Sequence, residues 1–246
     1  MRSEKLASWR LLEYTTIAVE ITGSIALGLV VAGSILALLG YDPARGIFLL
    51  VFGGLRNPDY LLSRAAFIAM TALAFSIPLL AGVFNIGGEG QMYLGGLAAL
   101  LAAVYSGNAA VAILAGGLAG AALGLIIGAL KAYRDVNEVV SAIMLNLTLF
   151  YVIVYAITAE LYDPVAPHES IKVPRGARLG VIRFGGLKLH IIFPLMLALV
   201  AVAYYLLYHT KLGYEIRASG FSPKAARYAG IDPKKTSVYS MVIGGF

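Results

Sequence analysis

Long apolar runs alternate along the chain with short polar or glycine-rich breaks. The first unbroken run covers residues 21–39, and others follow at 61–84, 91–105, 109–130, 139–158 and 189–210. A helix rises about 1.5 Å per residue, so about 20 apolar residues cross the roughly 30 Å hydrocarbon layer of a membrane. Each run is therefore predicted to be a transmembrane helix. An apolar start at 237–246 reaches only about 15 Å, half a bilayer, and the chain is expected to stop inside a seventh helix. The pattern predicts an all-α polytopic bundle, one transmembrane domain over residues 1–246 with about six spans plus the start of a seventh.

Composition sharpens this picture. Of the 246 residues, 60% are hydrophobic and 13% charged, against about 25% charged in a soluble domain, and the mean hydropathy is +0.84. Water is not the main solvent of such a chain. The absence of cysteine excludes disulfide frameworks, thiolate metal sites and cysteine nucleophiles. The only histidines, His168, His190 and His209, have no metal-ligand spacing, so no metal or other cofactor is expected. The net charge of +6 comes from basic residues lying between apolar runs rather than on one face, which points to membrane topology and away from nucleic acid.

Basic loops stay on the cytoplasmic side. Arg2, Lys5 and Arg10 put the N-terminus inside, and parity then places Lys131 and Arg134 inside, together with residues 211–235, where six basic residues stand against Glu215 and Asp232. The same parity puts 159–188 outside although it holds five basic and three acidic residues, and long loops obey the rule less strictly. The apolar run behind the N-terminus is long enough to span and ends in no small-residue cleavage site. It is read as the retained first helix of a multi-pass plasma-membrane protein, not as a signal peptide.

The fourth run carries Gly116, Gly120, Gly124 and Gly128 at four-residue spacing, a face without side chains that lets a neighbouring backbone approach closely. Helix packing and a bare pore wall are the two readings of that stripe. Ser24, Gly28 and Ala32 repeat the device in the first run. Asn146-Leu147-Thr148 matches a glycosylation sequon but falls inside a span, out of reach of a glycosylating enzyme.

Three segments are candidates for function. The first, Phe84-Asn85-Ile86-Gly87-Gly88-Glu89-Gly90-Gln91, is a polar, glycine-rich break followed by a run of only fifteen residues, about 22 Å, so it is expected to lie below the membrane surface. Glu89 is expected to be buried there beside a polar cavity, because broken helices and intramembrane ionisable residues mark transport sites. The other reading is a tight cytoplasmic turn with a solvated Glu89. No GxxxxGK[ST] sequence occurs, so ATP binding by this chain is not expected. The second segment runs from Val136 to Asn146, with Asn137 as a helix N-cap, Glu138 in the first turn, and Asn146 deep in the span, where its amide must bond a neighbouring helix or face a wet pathway. The third, within 211–235, contains a short helix of its own. Ser222 is its N-cap, Pro223 its first residue and Gly230 its left-handed end. So short a helix needs something to pack on: lipid headgroups meeting Lys224 and Arg227, or a partner's groove receiving Ala225, Ala226, Ala229 and Tyr228.

Together these segments resemble the permease subunits of bacterial and archaeal ABC importers of the nucleoside and simple-sugar kind, which are related to branched-chain amino-acid permeases. GVFNIGGEGQMYLGG is the most specific match, VNEVVSAIMLN the next and LGYEIRASGFSPKAARYAGID the third, and the resemblance runs from about Leu61 to the end. NIGGEGQ favours the nucleoside-type branch. The resemblance implies that the third segment docks on a cytoplasmic ATP-binding subunit, with Gly220, Ser222, Ala225, Ala226, Tyr228 and Gly230 as coupling residues. It also implies an extracytoplasmic solute-binding protein, a second permease subunit and alternating access, with membrane lipid around the bundle and no covalent chemistry. Phe84, Asn85, Glu89, Gln91, Tyr93 and Asn146 are then the substrate-pathway residues, the amides and carboxylate as hydrogen-bonding groups and the aromatics as stacking faces. Family members continue through several more helices, so the chain is similar to about the N-terminal two thirds of one.

Two other classes are weighed against this. An ion-coupled secondary transporter would also suit a broken helix bearing Glu89, but gives no reason for the coupling-like segment. An intramembrane enzyme would need a nucleophile with a base, or a metal cluster, and no histidine lies near enough to a serine to supply one.

Overall fold

The computed structural model describes residues 2–184 and 187–246, and side chains from Thr15 onward except at 167, 168, 184 and 187. The side chains of Arg2, Lys5, Arg10 and His168, used above for orientation and metal arguments, lie outside the described residues. The chain divides into two compact units, residues 1–61 and 62–246.

In the first unit, α1 (Arg2–Leu38) starts well before the predicted span and ends at Gly40, whose φ of 81° lets the chain turn back. The amides of Gly40 and Tyr41 donate to the carbonyls of Ala37 and Leu36. A short helix that the apolar pattern did not single out follows, α2 (Pro43–Phe52), and the local chemistry explains it. The Asp42 carboxylate accepts from the amides of Ala44 and Arg45, and Pro43 occupies the first helical position.

The second unit contains α3 (Pro58–Leu80) from its fifth residue on, α4 (Gly88–Ser106), α5 (Ala109–Arg134) and α6 (Glu138–Ala159), then β1 (Tyr162–Asp163) with β2 (Ala166–Ser170) and β3 (Val181–Phe184) with β4 (Leu187–His190), and finally α7 (Ile192–His209), α8 (Lys211–Phe221), α9 (Pro223–Tyr228) and α10 (Pro233–Gly245). Both strand pairs are antiparallel. They occupy the segment read as an external loop. The Asp163 carboxylate accepts from the Val165 amide at 2.9 Å and pairs with Lys172 at 3.1 Å; that amide first, then the lysine, hold its carboxyl below the usual range.

Among the described residues five helices are long and apolar enough to cross a membrane: Thr15–Leu38 of α1, and α3, α5, α6 and α7. The expected third span, 91–105, is corrected to the 19-residue α4, about 28 Å long. It is not among the five, because its first turn is made of the polar, glycine-rich motif itself. The segment 211–221, read from sequence as loop, is helix α8, opened by the Thr210 hydroxyl accepting from the Gly213 amide.

The glycine stripe of α5 is a packing face. A Cβ on Gly116 would lie 3.0 Å from the Gly95 carbonyl of α4, and one on Gly128 would lie 3.1 Å from Val238 Cα of α10. At Gly120 and Gly124 a Cβ would collide with the carbonyls of Gly245 and Met241. Backbone therefore meets backbone along the α5–α10 seam, the close approach that small residues allow between helices in a membrane. Two apolar clusters flank it. Ile77, Ala81, Ala203, Leu207 and Ile216 join α3, α7 and α8, while Val83, Leu123, Ile127, Ala142 and Met241 join the break before α4 to α5, α6 and α10.

Candidate functional site

The break between α3 and α4 begins with a glycine cap. Gly82 has φ 78°, its amide donates to the Leu79 carbonyl and the Val83 amide to that of Pro78, so the helix closes and the chain reverses. Val83 then inserts into the apolar cluster and draws the following residues back into the bundle.

Three amide side chains hold them there. Asn85 Nδ2 donates to the Ala74 carbonyl at 2.9 Å and to Gln91 Oε1 at 3.2 Å, and its Oδ1 accepts from the Gly87 amide at 3.1 Å. Asn146 Oδ1 accepts from the Gly90 amide at 2.9 Å, while its Nδ2 donates to the Ile86 carbonyl at 3.0 Å. Ala74 lies six residues before the end of α3 and Asn146 eight residues inside α6, which puts these bonds about 9 and 12 Å in from the helix ends. The break thus folds back beside the interior of α3 and α6 rather than beyond their ends, even though α4 is longer than expected. Irregular backbone at such depth must be satisfied by protein, and these amides satisfy it.

Sequence reasoning gave all six residues one role, and the structure separates them. Asn85, Gln91 and Asn146 are buried and spend their polar atoms on the chain itself. Glu89, Phe84 and Tyr93 turn outward. Glu89 is exposed, contrary to the expectation of burial, because Gly90 and Gln91 take the inner face of the first turn of α4. Its Oε1 accepts from the Tyr93 hydroxyl at 2.9 Å. Phe84 meets Phe75 edge-on at 4.9 Å, and Tyr93 lies 5.9 Å from Phe150. Glu89, with Phe67, Thr71, Phe75 and Asn85, lines an open groove of about 570 Å³. Most of its wall is apolar, where a polar cavity was expected. Phe75 and Thr71 were missed by the sequence reading; their four-residue spacing on α3 was the available signal.

The third segment adjoins this break. Ser222 caps α9 by accepting from the Ala225 amide at 3.3 Å, and Gly230, φ 79°, ends the helix with the same glycine device as Gly82. On α9 the expected outward pair of small residues splits. Ala226 is 3% exposed and faces the chain's own body, whereas Ala225 is open to solvent beside Tyr228, which is 95% exposed, as is Phe221 at the end of α8. Gly220 also faces inward. A Cβ on it would collide with the Leu80 carbonyl, and one on Gly82 would lie 3.6 Å from Gly220 Cα. Thr236 Oγ1 donates to Ser219 Oγ at 2.9 Å, tying α10 to α8. Asn137 caps α6 as expected, through the amides of Val139 and Val140, and Glu138 pairs with Lys131 at 3.1 Å.

A family model described as the permease component of the branched-chain amino acid transport system matches residues 57–246. The chain is 30% identical to a guanosine ABC transporter permease of Bacillus subtilis, over 90% of this chain and 67% of that one. It is 27% identical to a nucleoside ABC transporter permease of Lactococcus lactis, over 90% and 66%, and 29% identical to a glucose ABC transporter permease of Haloferax volcanii, over 95% and 65%. The chain thus spans about two thirds of the length of these relatives. No solved structure matches it. With that family model over most of its length, relatives that are permeases rather than enzymes, and five helices able to cross a membrane, the chain belongs to the permease family of the branched-chain amino acid transport system, as a multi-pass membrane protein.

Proposed function

We propose that the chain is the membrane-spanning subunit of an ATP-driven importer that moves a nucleoside or simple sugar by alternating access. The observation that carries this reading is the contact between Gly220 and the end of α3, which sets the segment 211–235 directly against the break. In this reading 211–235 is a cytoplasmic coupling loop and a cytoplasmic ATP-binding subunit seats on Phe221, Ala225 and Tyr228. Ser222, Ala226, Gly220 and Gly230 shape that surface from within. A solute-binding protein delivers the solute on the other side, and a second permease subunit completes the path. Asn85, Gln91 and Asn146 fix the break, and Phe84, Glu89 and Tyr93 meet the solute. The N-terminus is cytoplasmic. The guanosine, nucleoside and glucose permeases among the relatives support this solute class.

The test is uptake into proteoliposomes containing the chain with its ATP-binding and solute-binding partners. Nucleoside or glucose accumulation that requires ATP hydrolysis is the expected result. Accumulation that follows a proton or sodium gradient without the ATPase would instead establish an ion-coupled transporter. Labelling of a Ser222→Cys variant by an impermeant reagent from outside intact cells would overturn the orientation.

A further inference from the structure

The groove beside Glu89 has an uneven polar lining. Both hydrogens of the Asn85 amide are taken by Ala74 and Gln91, and the Thr71 hydroxyl donates to the Phe67 carbonyl at 3.0 Å. Among the described residues no lysine, arginine or histidine lines the groove. Its side chains therefore present acceptors and no spare donor, and the strongest acceptor is the Glu89 carboxylate. The Tyr93 hydroxyl holds one carboxylate oxygen and leaves the other lone pairs directed outward. Glu89 stands in the first turn of α4, where a negative charge is favourable beside the positive end of the helix.

We propose that this groove reads adjacent hydroxyl groups of a neutral solute through Glu89 and rejects the phosphorylated form of the same solute. The inference rests on the solute class proposed above and deepens it. A carboxylate accepts two neighbouring O–H donors in a charge-assisted pair, and a ribose or hexose carries such a pair. The apolar wall formed by Phe67, Ile68 and Phe75, with Phe84 packed edge-on behind Phe75, suits the flat face of a base or the C–H face of a sugar. A volume of about 570 Å³ is in the range of small-molecule sites. A phosphate ester would bring two negative charges to a carboxylate in a groove whose described lining holds no lysine or arginine, so its exclusion comes from repulsion rather than from shape.

The experiment measures modification of Glu89 by a hydrophobic carbodiimide in the chain reconstituted in nanodiscs, read by mass spectrometry of the Glu89 peptide. Saturating adenosine is expected to slow modification about tenfold. Neither 2′,3′-dideoxyadenosine, which lacks the hydroxyl pair, nor adenosine monophosphate should slow it. Tyr93→Phe, which frees the carboxylate from its anchor, should weaken the protection by adenosine while leaving the melting temperature unchanged. Equal protection by adenosine and the dideoxy analogue, protection by the monophosphate, or no protection by adenosine overturns the inference. Because this readout needs no ATPase, absent protection with ATP-driven uptake intact counts against the groove alone. Protection without ATP-dependent uptake counts against the importer reading alone.

Discussion

Asn146 meets Gly90 across 56 positions of sequence, its Oδ1 accepting the amide at 2.9 Å, and with its other end it holds the Ile86 carbonyl. One side chain thus satisfies a donor and an acceptor of a backbone that has no helix to satisfy them. Replacing it with leucine keeps the volume and strands both groups in an apolar setting, at a cost of about 1–3 kcal/mol for each. Asn146→Leu is expected to lower the melting temperature in detergent and to abolish uptake. Asn146→Gln, with the right chemistry on too long a stem, should fall between the two. An Asn146→Leu protein as stable as the parent would remove the amide from its structural role.

The seam between α5 and α10 makes a steric prediction. At Gly124 there is no volume for a methyl group, since the Met241 carbonyl occupies it. Gly124→Ala should cost about 1–3 kcal/mol through displacement of α10, even though alanine is the better helix former. Gly96, with open space where its Cβ would stand, is the control. Gly96→Ala should be neutral or slightly stabilising. Equal melting temperatures for the two variants would show that the seam is looser than described.

On α9, two adjacent alanines should behave differently. Ala226 is buried, so Ala226→Asp puts an unpaired carboxylate inside the chain, a cost of several kcal/mol, and should expose 222–231 to proteolysis. Ala225 is exposed, so Ala225→Asp should leave proteolysis unchanged and weaken co-purification of the ATP-binding subunit about tenfold. Unaltered co-purification with Ala225→Asp, and reduced co-purification only when Lys224 and Arg227 are both replaced by alanine, would assign the helix to lipid headgroups.

The strand pair at 162–170 should be sensitive to acid. The Val165 amide and Lys172 stabilise the charged form of Asp163, so its folded pKa lies below the unfolded value of about 3.9. A depressed carboxylate contributes stability that is present above the unfolded pKa and is lost as pH falls through the folded one. Amide exchange across 162–172, corrected for its intrinsic pH dependence, should accelerate as pH drops from about 5 to about 2. Asp163→Asn should remove most of that dependence. An unchanged profile in the variant would mean the carboxylate plays no part.

Legibility followed the length scale of the signal. Runs of apolar residues long enough to span were readable, and so were caps whose chemistry is local, such as Asn137, Ser222 and Gly230. That the Asn146 amide needs a partner or a wet pathway was readable too, because it lies deep in a span. Which partner was not, since Ile86 and Gly90 are brought to it only by the reversal at Gly82. The same reversal turns Glu89 outward and Gln91 inward, a distinction that residue type alone does not carry. Helix α2 was missed although Asp42 and Pro43 announce it, because a helix of ten residues is shorter than the window that finds spans. Ala225 and Ala226 differ only in rotation about a helix axis whose orientation depends on where α8 and α10 lie.

Where α5 and α10 touch as bare backbone, no torsion angle is available to take up a displacement. Side chains at an ordinary helix contact act as springs, and a small shift of one helix is lost in their rotamers before it reaches the next. The carbonyls of Met241 and Gly245 stand directly on the glycines of α5 instead, so the pair has the stiffness of a welded joint. Any tilt imposed on α10 becomes a tilt of α5, whose same glycine stripe rests, at Gly116, against Gly95 of α4.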